Sequence, residues 1–243
     1  MLGLYIGIIL LLNIPYVQHR MSVLVAKELS TVLGSELTVG RINIGLLNRI
    51  IIDDLVLNDQ SGKELLKIGR LSAKFEILPL FSGKISIGNV QLFSFNANLE
   101  RPTPQASTNF QFVLDAFASK DTVKKKSNLD LRINSLLIRR GKVSYDVLSA
   151  ESTPGKFNPQ HIRLSNILAN ISLKALQNDS VNAAIKRMSV EEEHSGFELK
   201  KLSLKIIAND RKMRIENFAI DLPNTSLAMD TIRMEYDSLE SLG

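Results

Sequence analysis

From about residue 35 onward the chain alternates apolar and polar residues with a period of two. Leu71, Ala73, Phe75 and Ile77 alternate with Ser72, Lys74 and Glu76, and Phe93, Phe95, Ala97 and Leu99 with Ser94, Asn96, Asn98 and Glu100. Leu129, Leu131 and Ile133 repeat the pattern, as do Leu202, Leu204 and Ile206, and then Ile232, Met234 and Tyr236. Such alternation predicts half-buried strands with one apolar and one wet face. It belongs to antiparallel sheets, not to the parallel core of an α/β protein. Runs such as Lys84 to Glu100 exceed the usual strand length of about 5–6 residues, so the pattern predicts a long, strongly twisted sheet. At Gly40 the apolar set slips phase, from Leu37 and Val39 to Ile42, Ile44 and Leu46. A glycine at such a slip reads as a β-bulge. Turn residues punctuate the strands at Asp59–Gly62, Ser82–Lys84, Arg140–Lys142, Ser152–Gly155, Asn209–Asp210 and Leu222–Asn224.

Two stretches carry a helical period instead. Across residues 16–34, Val17, Met21, Leu24, Val25, Leu29, Val32 and Leu33 recur at spacings of three and four, and Gly34 supplies a stop. Met21, Leu24 and Leu29 are expected to pack onto the first strands and plug that end of the sheet. At about 109–118, Phe110, Val113, Leu114 and Phe117 share a helical face, followed by a polar loop over about 119–128. Ahead of both lies an uncharged apolar run, broken by Asn13 and Pro15. Its roughly 16 residues make about 24 Å of helix, short of the ~20 residues of an ordinary span. The run lacks the basic start and small-residue cleavage site of a signal peptide. Residues 1–15 therefore read as an uncleaved anchor carried by Leu2, Leu4, Ile6, Ile8, Ile9, Leu10, Leu11 and Leu12.

Composition narrows the chemistry. Of 243 residues 44% are hydrophobic, which excludes disorder for most of the chain, and the net charge of +5 is well mixed with acids. That balance speaks against a nucleic-acid surface. Cysteine is absent, so disulfides and thiolate metal sites are excluded. His19, His161 and His194 lack metal-ligand spacing. The Gly-Lys pairs at 62–63, 83–84 and 141–142 have Leu57, Leu78 and Leu136 where a phosphate loop needs its first glycine, and turn chemistry explains them. Asp53 and Asp54 are adjacent on a strand and point to opposite faces, so they cannot converge on a substrate. Glu191–Glu193 beside His194 reads as a solvated turn, and Lys124–Lys126 as a charged loop. No catalytic residue, metal or cofactor is expected. The apolar strand faces are the one extensive feature.

The stretch from Leu33-Gly34 through Val39–Ile44, Ile52–Leu57, Gly69–Ala73 and Ile85–Leu92 resembles the N-terminal region of the TamB and AsmA-like family, in a Bacteroidetes-like form. The likeness is best over residues 1–100. It implies an inner-membrane anchor followed, over residues 35–243 and beyond, by a periplasmic, elongated, curled antiparallel sheet called a β-taco or repeating β-groove. It also implies phospholipid transport to the outer membrane, outer-membrane assembly and protein secretion with an outer-membrane barrel protein as partner. Phe75, Ile87, Phe95, Leu131, Leu204 and Met234 are then expected to line the groove against membrane phospholipids. The alternative is an envelope scaffold that pairs strands with the barrel and holds no lipid. Arg20 and Lys27 follow the apolar run with no basic residue before it, which by the positive-inside rule points the body into the cytoplasm. The family requires the opposite, and basic residues upstream of Met1 would reconcile the two.

Overall fold

A computed structural model describes residues 3, 7, 10–11, 13–45, 48–75, 85–117, 129–130, 134–177, 180–209 and 211–235. They form helices α1 (Pro15–Leu33) and α2 (Gln111–Phe117). The strands are β1 (Leu37–Gly45), β2 (Arg49–Asn58), β3 (Glu64–Phe75), β4 (Ile85–Arg101), β5 (Leu129–Asp130) and β6 (Ser135–Val147). They continue as β7 (His161–Gln177), β8 (Ser180–Glu192), β9 (Phe197–Asn209), β10 (Lys212–Asp221) and β11 (Ser226–Glu235). Ten strands lie side by side in the order β1-β2-β3-β4-β6-β7-β8-β9-β10-β11, and β5 pairs with β4. β1 and β11 are the two edges, so the sheet stays open.

Two expectations need correction. The sheet is mixed, because β4 runs parallel to both β5 and β6. The segment between Arg101 and Ser135, which contains α2, carries the chain back to the end where β4 began, and parallel neighbours need such a crossover. Arg140–Lys142 is no turn either; it lies inside β6.

The register sets the apolar residues of successive strands directly opposite one another. One row runs Ile42, Ile52, Leu71, Leu92, Ile138, Ala169, Met188, Leu202, Ile220, Leu227, with one residue from each of the ten strands. A second runs Ile44, Ile50, Ala73, Val90, Leu136, Ile171, Ile185, Leu204 across β1 to β9. Opposed side chains in a row share one face.

The strands hold that face over their full length by means of a crease. Gly40 and Asp54 sit between the pairs Val39–Leu55 and Arg41–Asp53. Gly69 follows opposite Asp54, then Ser94, then Arg140 on β6. Asp54, Ser94 and Arg140 have φ of 56°, 54° and 56°, and Asn166 and Asn217 repeat the device with 51° and 53°. A left-handed residue inside a strand places two successive residues outward and returns the apolar set to its own side. The Gly40 slip is thus one of a series. A Cβ at Gly40 would stand 3.0 Å from the Asp54 Cβ, so the backbones approach closely at the crease. Each left-handed residue other than glycine costs roughly 1 kcal/mol, less for Asn and Asp.

A cluster of enclosed apolar side chains lies at one end of the sheet. Leu33, Leu37, Leu57 and Leu65 are buried together, with Ala26 and Leu29 of α1 and Phe112, Val113 and Ala116 of α2 packed against them. The chain exposes 16161 Å², against about 11,000 Å² for a compact monomer of its mass.

Gly141 sits under the Phe95 ring, and a methyl group there would overlap it. Overpacking of this kind costs about 1–3 kcal/mol. Gly141→Ala is expected to lose stability by that amount in urea titrations, and Phe95→Leu in the same chain to recover part of it.

Candidate functional site

The candidate site is the apolar side of the sheet. Ile42 and Ala169 are buried in the ten-strand row, most other members are half-buried, and Leu227 at the β11 edge is exposed. Among the expected lining residues, Leu204 is half-buried in the second row, and Phe95 is half-buried opposite Ile68. Met234 is 43% exposed. It lines a hollow of about 540 Å³ with Ile207, Ala208 and Met213, rimmed by Lys212, Arg214, Arg233 and Glu235. Phe75 and Ile87 are described in their backbone alone, and Leu131 lies outside the described residues.

At the opposite edge α1 lies along β1. The Asn13 amide donates to the Ile44 carbonyl at 2.8 Å, and the Gln18 amide to Asn43 Oδ1 at 2.6 Å. The Ser30 hydroxyl accepts from the Leu37 N–H at 2.9 Å and donates to its carbonyl at 3.3 Å. Asn13 and Ser30 thus occupy backbone groups on the free edge of β1, and Gln18 a side chain beside them. The helix therefore turns polar as well as apolar residues towards the sheet. Gln18 and Ser22 are buried, while Tyr16, Val23, Leu24 and Val32 are exposed, Leu24 by 60%. Leu24 therefore leaves the expected plug, because the unpaired edge draws polar residues inward. Met21 is half-buried, and Leu29 packs against the end core.

The polar candidates are spent on structure. Asp53 and Asp54, expected on opposite faces, line one hollow together because Asp54 is left-handed; Asp53 Oδ1 accepts from Arg70 Nε at 2.6 Å, and Lys63 pairs with Glu100 at 2.8 Å. His19 is exposed on α1. Gly83–Lys84 and Lys124–Lys126 lie outside the described residues. Among the described residues no group of three His, Cys, Asp or Glu side chains is placed to hold a metal ion.

The Glu191–Glu193 turn differs from the solvated one expected. Glu192 is 2% exposed. Burial opposes its charge, but the Ser195 hydroxyl and the amides of Ser195, Arg163 and His194 outweigh that and hold its carboxyl at about 2. Beside it, Asp146 accepts from His161 Nδ1 at 2.8 Å and from Arg163 Nη2 at 2.7 Å, while His161 Nε2 reaches the Ala150 carbonyl at 3.0 Å. The Asp146 hydrogen bond raises the His161 pKa. Both groups tie the β6, β7 and β8 ends together. A glutamate three residues before Ser195, with Gly196 following at φ 70°, is the signal that marks this capped turn in sequence.

Comparison of the sequence with family models and with curated proteins gave no match.

Two tests follow from these contacts. Leu29→Asp sets a charge against the end core and is expected to cost about 3–5 kcal/mol of unfolding free energy, whereas Leu24→Asp is expected to leave stability within about 0.5 kcal/mol. Glu192 has a folded pKa below its ordinary 4.5, so its contribution is complete above 4.5 and is lost as pH falls towards about 2. His161 has the opposite sign: its contribution is present below 6.5 and is lost as pH rises through its raised folded value. Denaturation midpoints measured against pH are expected to show a reduced acid slope between about 4.5 and 2 in Glu192→Gln, Asp59 and Asp146 supplying the remainder, and a reduced slope above 6.5 in His161→Gln.

Proposed function

We propose that this protein is an inner-membrane-anchored periplasmic groove protein whose apolar sheet face shelters phospholipid acyl chains. It serves phospholipid transport to the outer membrane and outer-membrane assembly, with a barrel protein as partner. The observation that carries this reading is the row of ten opposed apolar residues on a face over which, among the described residues, helices pack at one end. A soluble sheet ordinarily hides such a face beneath helices or a second sheet. Here acyl chains take that place, each methylene removed from water being worth about 0.8 kcal/mol. Continuity matters, since an unpaired charge among the chains would cost several kcal/mol and interrupt the path.

The outward face of α1 supports a membrane setting. Tyr16, Val23, Leu24 and Val32 are exposed there among His19, Arg20, Lys27 and Glu28, Leu10, Leu11 and Ile14 are exposed just ahead of the helix, and Arg20 stands over the Tyr16 ring at 5.5 Å. A helix that buries Gln and Ser and exposes Leu and Val matches an apolar surrounding better than water. Among the described residues no helix is long and apolar enough to cross a membrane. Leu2, Leu4, Ile6, Ile8, Ile9 and Leu12 lie outside the described residues, so the anchor rests on the sequence run.

The scaffold reading is favoured by a different observation, the β11 edge, which pairs with β10 alone among the described strands and invites strand addition. Photo-crosslinking from Leu202, in mid-row, separates the two. Conduit activity is expected to give phospholipid adducts identified by mass spectrometry. Leu204→Asp is expected to remove them while circular dichroism stays unchanged, because in an empty trough the carboxylate reaches water. Absence of lipid adducts in the parent protein, with protein adducts from β11, would leave the scaffold.

A further inference from the structure

The polar side of the sheet holds a second feature, separate from the lipid reading. Three adjoining hollows of about 460, 340 and 400 Å³ follow the crease from β1 to β8. The first is lined by Arg41, Asp53, Asp54 and Arg70, where opposite charges cancel and Arg70 is held by Asp53 at 2.6 Å. The last is lined by Phe93, Arg139, Arg140, Asn166, Leu168 and Ser189, with no acid among them. Phe93, Arg139, Leu168 and Ser189 are chain neighbours of the row residues Leu92, Ile138, Ala169 and Met188. They therefore face the opposite side of the sheet. Charge thus grades along the crease from neutral to cationic.

We propose that this last hollow is a binding site for a phosphate ester. Two adjacent guanidinium groups offer the forked donors that phosphate oxygens accept in pairs. The Ser189 hydroxyl adds a donor on the β8 wall. Phe93 and Leu168 form an apolar floor suited to the organic part of an ester, and the Phe93 ring holds Arg139 at 6.0 Å. The one carboxylate tied to the wall, that of Glu191, is engaged by the Asn166 amide at 2.9 Å. Among the described residues neither Arg139 nor Arg140 has an ion-pair partner. Arg140 also stands in a left-handed conformation at φ 56°, which Gly or Asn adopts at less cost. An arginine kept there at a cost in stability is consistent with a task for its guanidinium.

The phosphate belongs either to a soluble ester or to a lipid headgroup at a membrane surface, and the test has an arm for each. Glycerol phosphate is titrated into the full chain and followed by phosphorus NMR. Co-sedimentation compares phosphatidylglycerol-containing vesicles with vesicles of phosphatidylcholine alone, so that the apolar face contributes equally to both. Arg139→Gln and Arg140→Asn are each expected to weaken phosphate binding about tenfold, with Arg140→Asn melting at the same or a higher temperature than the parent. Arg41→Gln, at the neutral end of the crease, is expected to change nothing. Binding in the NMR arm assigns the soluble ester, and binding confined to the anionic vesicles assigns the headgroup. The proposal is overturned if neither probe binds, if Arg41→Gln weakens binding as much as Arg140→Asn, or if a polyglutamate peptide binds as tightly as the phosphate.

Discussion

The whole sheet depends on keeping one apolar side through strands that are longer than a simple alternation tolerates. Twist accumulates along each strand, and β4 and β7 reach 17 residues. The left-handed residues at Asp54, Ser94 and Arg140 reset the alternation in register from strand to strand. Without that reset, the residues beyond the crease would turn their apolar side chains to the wet face, as any one-residue slip does. The local backbone cost is small beside the burial it preserves.

The edges are treated differently, and the difference explains the unusual composition of α1. A free strand edge presents unpaired N–H and C=O groups, and these must be satisfied or left to water. At β1 the task falls to Asn13 and Ser30, with Gln18 bonded to Asn43 beside them. A helix that turns such residues inward leaves some of its apolar residues, Val23, Leu24 and Val32, on the outer side. β11 has no such cover among the described residues, and its burial pattern is exposed at nearly every position. Among the described residues the sheet is covered at the β1 margin and open at the β11 margin.

Much of this was legible in the residues. Period-two alternation identified the strands, the helical spacing of Phe110, Val113 and Leu114 located α2, and the slip at Gly40 announced the crease. Other features stayed hidden for physical reasons. Arg140–Gly141–Lys142 has turn composition, yet Gly141 is there to lie beneath Phe95. Leu24 looked like a core residue because spacing reports hydrophobicity and says nothing of a neighbouring edge's demand for hydrogen bonds. Glu192 sits in an acidic run that reads as solvated; three of its four donors come from the turn that follows it, and the fourth, the Arg163 amide, is brought by the β7–β8 pairing. The parallel β4–β6 seam has no local code, since its partners are brought together by a long connection. The cationic hollow escaped notice because its members come from β4, β6, β7 and β8.

That seam has a consequence for how the chain acquires its structure. Elsewhere in the sheet each strand pairs with its immediate successor, so hairpins can form and add one to the next with little chain to close. The β4–β6 pairing must instead close a loop that holds α2, and closing a longer loop carries a larger entropic cost. Contacts between residues distant in sequence form slowly. The protein is kinetically a pair of zippers, β1–β4 and β6–β11, whose joining is the late event. Until they join, each presents an unpaired strand at its inner margin, where a wrong partner competes with the right one.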